Sequence, residues 1–137
     1  MRIDIGNDLK YYESFAERTL PKESNPFESV FSEVGRGQLI EAFFEFDSEK
    51  VFVQIKLNNV VVAEIDVENL KDFFDVDDVS NPQIPSIGWY SGSKVLFIKF
   101  PMPVNFVSGI EFLAKTNDGN KTKKLKGYQI VLNKENE

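Results

Sequence analysis

The stretch from Lys94 to Lys115, KVLFIKFPMPVNFVSGIEFLAK, most limits the folds open to this chain. Apolar residues recur there with a period of two, which is the pattern of β-strands. We predict one strand over Val95 to Phe100, covered on both faces, and a second over Gly109 to Lys115, with one face toward a core. Pro101 and Pro103 cannot donate ladder hydrogen bonds, so they end the first strand and turn the chain away.

The same alternation occurs upstream of that stretch. It predicts strands over Leu39 to Phe46 and Val51 to Leu57, separated by a turn. The pair Asn58-Asn59 then stands between two strand-like runs. Because asparagine tolerates a positive φ, this pair predicts a two-residue hairpin turn into a strand over Val60 to Ile65.

The periodicity changes at Asp66, which is placed to cap a short helix. Leu70, Phe73 and Phe74 follow at helical spacing and would form its apolar edge. A long irregular connection is predicted over Asp75 to Ser93, because prolines and glycines interrupt it.

The sequence as a whole indicates an all-β fold. Six or more short strands, ending with Gly127 to Asn133, predict an antiparallel β-sandwich of jelly-roll topology with one short helix inserted between strands. The length of 137 residues is that of one domain. We assign residues 37–137 to a single jelly-roll domain and residues 1–36 to an N-terminal arm or cover segment.

The first 36 residues differ from the rest in composition, with frequent polar residues and chain breakers. Asn7 is placed to cap a short helix that would carry Leu9, Tyr12, Phe15 and Ala16 on one side. Two roles are open for this segment. It would form a strand and a cover over one end of the core, or an arm that grips a neighbouring subunit.

The chain contains neither cysteine nor histidine. This excludes disulfides, thiolate nucleophiles, imidazole bases and metal sites built from either residue. The net charge of −6 disfavours a nucleic-acid partner, because phosphate contacts need cations. We therefore predict a non-enzymatic protein with no cofactor and no metal.

The first ten residues, MRIDIGNDLK, carry charges where a secretion signal has its apolar core. No uncharged apolar run approaches the length needed to span a membrane. We expect a soluble chain without a membrane partner.

From about Gly37 to Leu132 the order of features resembles the jelly-roll unit of the family 172 glycoside hydrolases. These enzymes hold two such rolls per chain and are related in fold to double-jelly-roll viral capsid proteins. The matching segments are Val51 to Leu57 before a tight turn, Leu70-Lys71-Asp72-Phe73-Phe74, Phe100-Pro101-Met102-Pro103 at a strand end, and Tyr128 to Leu132. The resemblance implies a jelly roll. The chain holds one roll rather than two, and no catalytic carboxylate of the family matches a position here.

A second resemblance lies in Gly35-Arg36-Gly37-Gln38-Leu39, followed by a β-hairpin and a short helix. This order is similar to that of small structural proteins of tailed bacteriophages. Those single rolls sit on capsids or at vertices and usually self-associate, so the resemblance implies a virion component.

Carboxylates are the groups that remain for acid–base chemistry. Four of them stand at strand positions expected to face outward: Glu41, Glu45, Glu64 and Glu111. Carboxylates in such positions are usually solvated, which disfavours a glycosidase.

A cluster of aspartates follows the predicted helix and consists of Asp72, Asp75, Asp77 and Asp78. Its oxygens would suit Ca²⁺, but the glycine and terminal glutamate of a helical calcium loop are missing. We favour a solvated acidic loop, with a calcium site as the alternative.

Trp89 and Tyr90 stand side by side in the predicted irregular connection. Each pairs a flat apolar face with a hydrogen-bonding edge, so together they would suit the stacking of a sugar ring. Adjacent residues of a strand point to opposite faces, however, and at most one of the two would then be exposed. Packing or a subunit contact is the favoured interpretation.

The charges are unevenly distributed along the chain. An acidic ridge, Glu64 to Asp78, contrasts with a basic segment, Lys115 to Lys126, predicted as a hairpin. We expect the ridge of one copy to meet the basic segment of the next and to close a ring of three, five or six. The expected interface residues are Asp72, Asp75, Asp77, Asp78, Lys121, Lys123, Lys124 and Lys126. Alternatively, the lysines protect strand edges and the acids solubilise a loop.

Together these features favour a non-enzymatic viral structural protein located in the virion as a capsid, decoration or vertex component. It would act as a homo-oligomer and contact other virion proteins. The alternative is a cytoplasmic carbohydrate-binding or glycoside-hydrolase-like jelly-roll domain that uses Trp89, Tyr90 and strand carboxylates.

Overall fold

The computed structural model describes residues 7–77, 86–119 and 121–135, which form two antiparallel sheets packed face to face and one short helix. The helix α1 spans Val67–Phe74. The strands are β1 (Asn7–Ser14), β2 (Arg18–Thr19), β3 (Glu28–Val34), β4 (Gly37–Phe46), β5 (Val51–Leu57), β6 (Val60–Asp66), β7 (Ile87–Tyr90), β8 (Val95–Ile98), β9 (Val104–Phe106), β10 (Gly109–Thr116) and β11 (Lys124–Glu135).

The strands pair in a nested order. β1 pairs with β11, β3 with β10, β4 with β8 and β5 with β6, all antiparallel. The first sheet has the order β1-β11-β4-β8-β7, to which β2 and β9 add short pairings, and the second has the order β3-β10-β5-β6. The chain therefore doubles back as one long hairpin whose arms are shared between two sheets, which confirms the predicted jelly roll.

Phenylalanine rings join the two sheets in the core. Phe44 of the first sheet and Phe112 of the second are fully buried, with ring centroids 5.0 Å apart. Phe31 of β3 lies 6.2 Å from Phe112. Burying a side chain of this size stabilises the fold by about 1.5–3 kcal/mol, so this cluster holds the sheets together.

The predicted hairpin at Asn58 and Asn59 is confirmed. Both residues have positive φ, 55° and 64°. The Asn58 side-chain oxygen also accepts hydrogen bonds from the backbone amides of Val107 and Ser108, at 2.7 and 2.9 Å. This one residue therefore shapes the β5–β6 turn and ties it to the connection between β9 and β10.

The predicted helix and its cap are also confirmed. The Asp66 carboxylate accepts a hydrogen bond from the backbone amide of Asn69 at 3.3 Å. The predicted apolar edge is only partly correct, since Leu70 packs against the core while Phe73 and Phe74 are exposed. The helix has eight residues, and the core reaches only its first turn, where Val67 is buried.

The helix predicted after Asn7 is wrong, because β1 occupies that segment. Tyr12 points inward, and its ring packs on Phe31 with centroids 5.2 Å apart. Leu9 and Phe15, which belong to the same predicted apolar side, are exposed. The expected N-terminal strand is present as β1, and β2 and β3 add two further strands from the first 36 residues.

The structure differs from the sequence prediction in three further features. The strand that begins at Val95 ends at Ile98, two residues before the expected Phe100. The expected irregular connection over Asp75 to Ser93 contains β7. On the outer edge of β7, Trp89 forms a parallel β-bridge with Asp75. Finally, β10 and β11 lie in different sheets, so the basic segment is a crossover between sheets and not a hairpin.

Candidate interaction surfaces

Both charged segments singled out in the sequence meet at one end of the sandwich. The β4–β5 turn lies between them. Its Glu49 pairs with Lys71 of α1 at 3.0 Å, and its Asp47 accepts a hydrogen bond from the backbone amide of Lys124 at the start of β11, at 2.9 Å. Acidic and basic segments are therefore joined through one turn.

Much of the acidic ridge is engaged within the chain. Asp77 accepts a hydrogen bond from the backbone amide of Gly92 at 2.6 Å, and Asp75 accepts one from the amide of Asp77 at 3.1 Å. Asp72 is exposed on α1, while Asp78 lies outside the described residues. Across the described ranges, no group of three or more carboxylates is placed to hold a metal ion.

The basic segment keeps most of its cations available. The Lys123 Nζ atom lies 3.2 Å from Oδ2 of Asp118 and forms an ion pair with it. The hydrogen bond within this pair holds the pKa of Asp118 below its ordinary value. The side chains of Lys121, Lys124 and Lys126 are exposed and form no ion pair with any residue that the structure describes. Three of the four predicted interface lysines are thus free to meet a partner.

The structure separates Trp89 from Tyr90, as their adjacent strand positions require. Trp89 points into the core and is 1% exposed. Tyr90 lies on the outer face of the first sheet, where its ring packs on Phe97 with centroids 5.3 Å apart. Trp89 therefore offers no face to a sugar ring, and the alternative of a stacking platform made by both residues does not fit this geometry.

The strand carboxylates are divided between the two sheets. Glu41 forms an ion pair with Lys99 at 3.7 Å. Glu64 accepts a hydrogen bond from the side-chain amide of Gln54 at 3.3 Å. Glu45 lies with Glu41 on β4, whereas Glu111 lies with Glu64 in the second sheet. The geometry therefore does not bring these four carboxylates together around one site.

Glu45 lies in a cleft that the sequence prediction missed. The cleft has a volume of about 220 Å³ and lies on the outer face of the first sheet, lined by Phe15, Phe43, Glu45, Val95, Gly127, Tyr128 and Gln129. A Cβ atom on Gly127 would lie 3.0 Å from the Phe15 ring, so the glycine lets this ring close one side. A glycine inside a strand can indicate such a close approach, but it does not identify the approaching residue.

The outer edge of β6 is a second surface that the prediction missed. Val60, Val61 and Val62 are 61%, 47% and 54% exposed. β6 is the last strand of its sheet, so the backbone groups along this edge have no neighbouring strand in the described part of the chain. Val62 has no partner on β5, because the register shifts there.

No protein-family model matches the chain, and no curated protein matches it at a significant level. In the ranges that the structure covers, no helix is long and apolar enough to cross a membrane.

Proposed function

We propose that this protein is a non-enzymatic structural component of a virus particle, as a capsid, decoration or vertex protein, and that it acts by self-association. The observation that carries this proposal is the open valine edge of β6. Uncovered apolar edge strands are costly for a monomer, because they pair with other chains and promote aggregation. Natural proteins usually protect such an edge with charges, prolines, β-bulges or a covering element. Within the three exposed valines of β6, the register shift at Val62 is the one such device.

Both edges of the first sheet differ from β6 in this respect. The outer edge of β7 is covered by residues 75 and 76, since the Val76 amide donates to the Trp89 carbonyl at 2.8 Å. β1 carries Asp8, Lys10 and Glu13 along its free edge. An edge with three consecutive exposed valines therefore fits a contact surface for another copy.

The single jelly roll and the free lysines of the basic segment support the same function. A protein that works by repeated association needs a stable scaffold and outward groups that select its partner. The resemblance of the segment from Gly35 to Leu39 to small bacteriophage structural proteins supports a virion as the setting of that association.

Light scattering coupled to size-exclusion chromatography tests the proposal. The wild-type protein should have the mass of a closed oligomer, with a ring of three, five or six as the expected form. Val61→Lys should lower that mass while leaving the thermal unfolding midpoint nearly unchanged, because a lysine on an edge strand opposes pairing.

Val34→Lys is the matched control. Val34 is 77% exposed and lies on β3, the opposite edge strand of the same sheet. Its substitution should leave the oligomer intact. A wild-type monomer at all concentrations would contradict the proposal, and a monomer that binds oligosaccharides would favour the carbohydrate-binding alternative.

A further inference from the structure

We infer that the cleft around Glu45 receives a lysine side chain from the basic segment of a second copy, Lys121 or Lys124. This inference rests on the proposed self-association and names a contact distinct from the β6 edge. It makes the association heterologous, because the donor and the acceptor are different surfaces of the same chain.

The surroundings of Glu45 favour the binding of a cation. The carboxylate is half-buried, and its cross-strand neighbours are Gly127 on β11 and Val95 on β8, neither of which carries charge or a polar side chain. It forms no hydrogen bond or ion pair with any residue in the described ranges. A carboxylate among apolar groups gains most from a partner that brings both charge and hydrogen-bond donors.

The walls of the cleft suit the remainder of a lysine side chain. Phe15 and Phe43 present aromatic rings beside the carboxylate. The methylene stem of lysine packs on apolar surface while its ammonium group stays polar, and an ammonium group near a phenylalanine ring gains further attraction. Gln129, which pairs with Phe43 across β11 and β4, adds an amide oxygen that can accept another hydrogen bond.

The size of the cleft favours a small occupant. Its volume of about 220 Å³ is below the roughly 300–1,000 Å³ of pockets that bury whole small-molecule ligands. A single side chain fits this space, whereas an oligosaccharide would contact it with only one unit.

We assign the donor to the basic segment because its charge is opposite to that of Glu45. Lys121 and Lys124 are exposed and form no ion pair in the described structure. Lys121 precedes β11 in the crossover between sheets, and Lys124 is the first residue of that strand. Lys126 adjoins Gly127 of its own cleft, so it is a less suitable donor to a second copy.

A peptide with the sequence of residues 117–126 tests the cleft without requiring an oligomer. Titrated into the full-length protein and followed by NMR, it should shift resonances of Phe15, Glu45 and Gln129. Glu45→Gln should weaken this binding about tenfold or more, because the lysine loses its negatively charged partner. Glu111→Gln, a half-buried strand carboxylate of the other sheet, is the matched control and should not change it.

A second peptide, with norleucine in place of Lys121 and Lys124, keeps the apolar stems and removes the charges. It should bind at least tenfold more weakly than the first. Equal binding of the two peptides, or equal binding by wild-type protein and E45Q, would overturn the inference.

The oligomer itself provides the last arm of the test. Light scattering should show a smaller mass for E45Q and for the double variant with Lys121→Glu and Lys124→Glu. Adding Glu45→Lys to that double variant exchanges the two charges and should restore the mass. A wild-type oligomer with unchanged mass in E45Q overturns the cleft contact alone. A wild-type monomer whose cleft binds the peptide supports the lysine site and overturns the proposed function.

Discussion

Lys71 Nζ lies 3.0 Å from Glu49 Oε1, so that an ion pair fastens α1 to the β4–β5 turn. The pKa of Glu49 lies below its ordinary value because of a backbone hydrogen bond and the hydrogen bond from Lys71. The pKa of Lys71 lies above its ordinary value, mainly because of the same bond to Glu49.

These shifts predict how the pair responds to pH. A lowered carboxylate pKa stabilises the fold above about pH 4.3, the ordinary glutamate value, and that contribution is lost as pH falls through the lowered pKa. A raised lysine pKa stabilises below about pH 10.4, and its contribution is lost as pH rises through the raised value. Glu49→Gln should therefore lower the free energy of unfolding by about 0.5 kcal/mol at pH 7 and have little effect at pH 2.

Urea unfolding at the two pH values measures this effect. A double-mutant cycle with Lys71→Met separates the ion pair from other consequences of each change. If Glu49→Gln costs the same in the Lys71→Met background, the pair is not the cause.

Asn58 should be sensitive to substitution for two independent reasons. Its φ of 55° strains most other residues, and its side-chain oxygen accepts two backbone amides. Asn58→Ala should lower the free energy of unfolding by about 2–3 kcal/mol. Asn58→Asp keeps the accepting oxygen and should cost much less. Asn59→Gly, at the neighbouring turn position, should be nearly neutral, and chemical denaturation that ranks the three variants otherwise would contradict this account.

Gly127 should not tolerate a side chain. A Cβ atom there would lie 2.7 Å from the Ser14 carbonyl oxygen and 3.0 Å from the Phe15 ring. Because the backbone oxygen belongs to the paired end of β1, Gly127→Ala should displace that strand and cost about 1–3 kcal/mol. The control is Gly92→Ala, whose Cβ would meet only the Asp77 carboxylate, at 3.2 Å. Thermal unfolding should show the larger loss for Gly127→Ala, and equal midpoints would show that β1 adapts.

The cap of α1 should be a local contributor to stability. Asp66 accepts hydrogen bonds from the Asn69 amide and from the Asn117 side chain, at 3.3 and 3.2 Å. Asp66→Ala should cost about 1 kcal/mol in urea unfolding. Asp66→Asn retains a capping oxygen and should recover most of that loss. Complete tolerance of Asp66→Ala would mean that packing of Val67 alone fixes the helix.

The parts of the fold that depend on local chemistry could be predicted from the sequence. The positive φ at Asn58 and Asn59 follows from the residue type, and the cap at Asp66 follows from the change in periodicity after it. The alternation in β5 and β10 identified their core-facing residues, such as Val53 and Phe112. In β4 it is correct from Ala42 to Phe46, but Leu39 is buried in place of Ile40, because the pairing with β11 shifts register there.

The parts that were missed depend on contacts between distant segments. β7 has four residues, too few for a periodicity to be recognised beside the glycines and prolines around it. The exposure of Phe73 and Phe74 depends on how far the core extends beneath α1, which no local pattern encodes. The cleft exists because Phe15 follows β1 and Gly127 lies on β11, and only the pairing of these strands brings them together.

The pairing of β1 with β11 along its whole length also sets the order in which the molecule can be made. A ribosome synthesising this chain produces β1 well before β11, so β1 lacks its neighbour until all the strands between them have been made. Such distant pairings slow folding to milliseconds or seconds. During that interval the nascent chain exposes strands that the folded protein conceals, and unpaired strands of this kind promote aggregation.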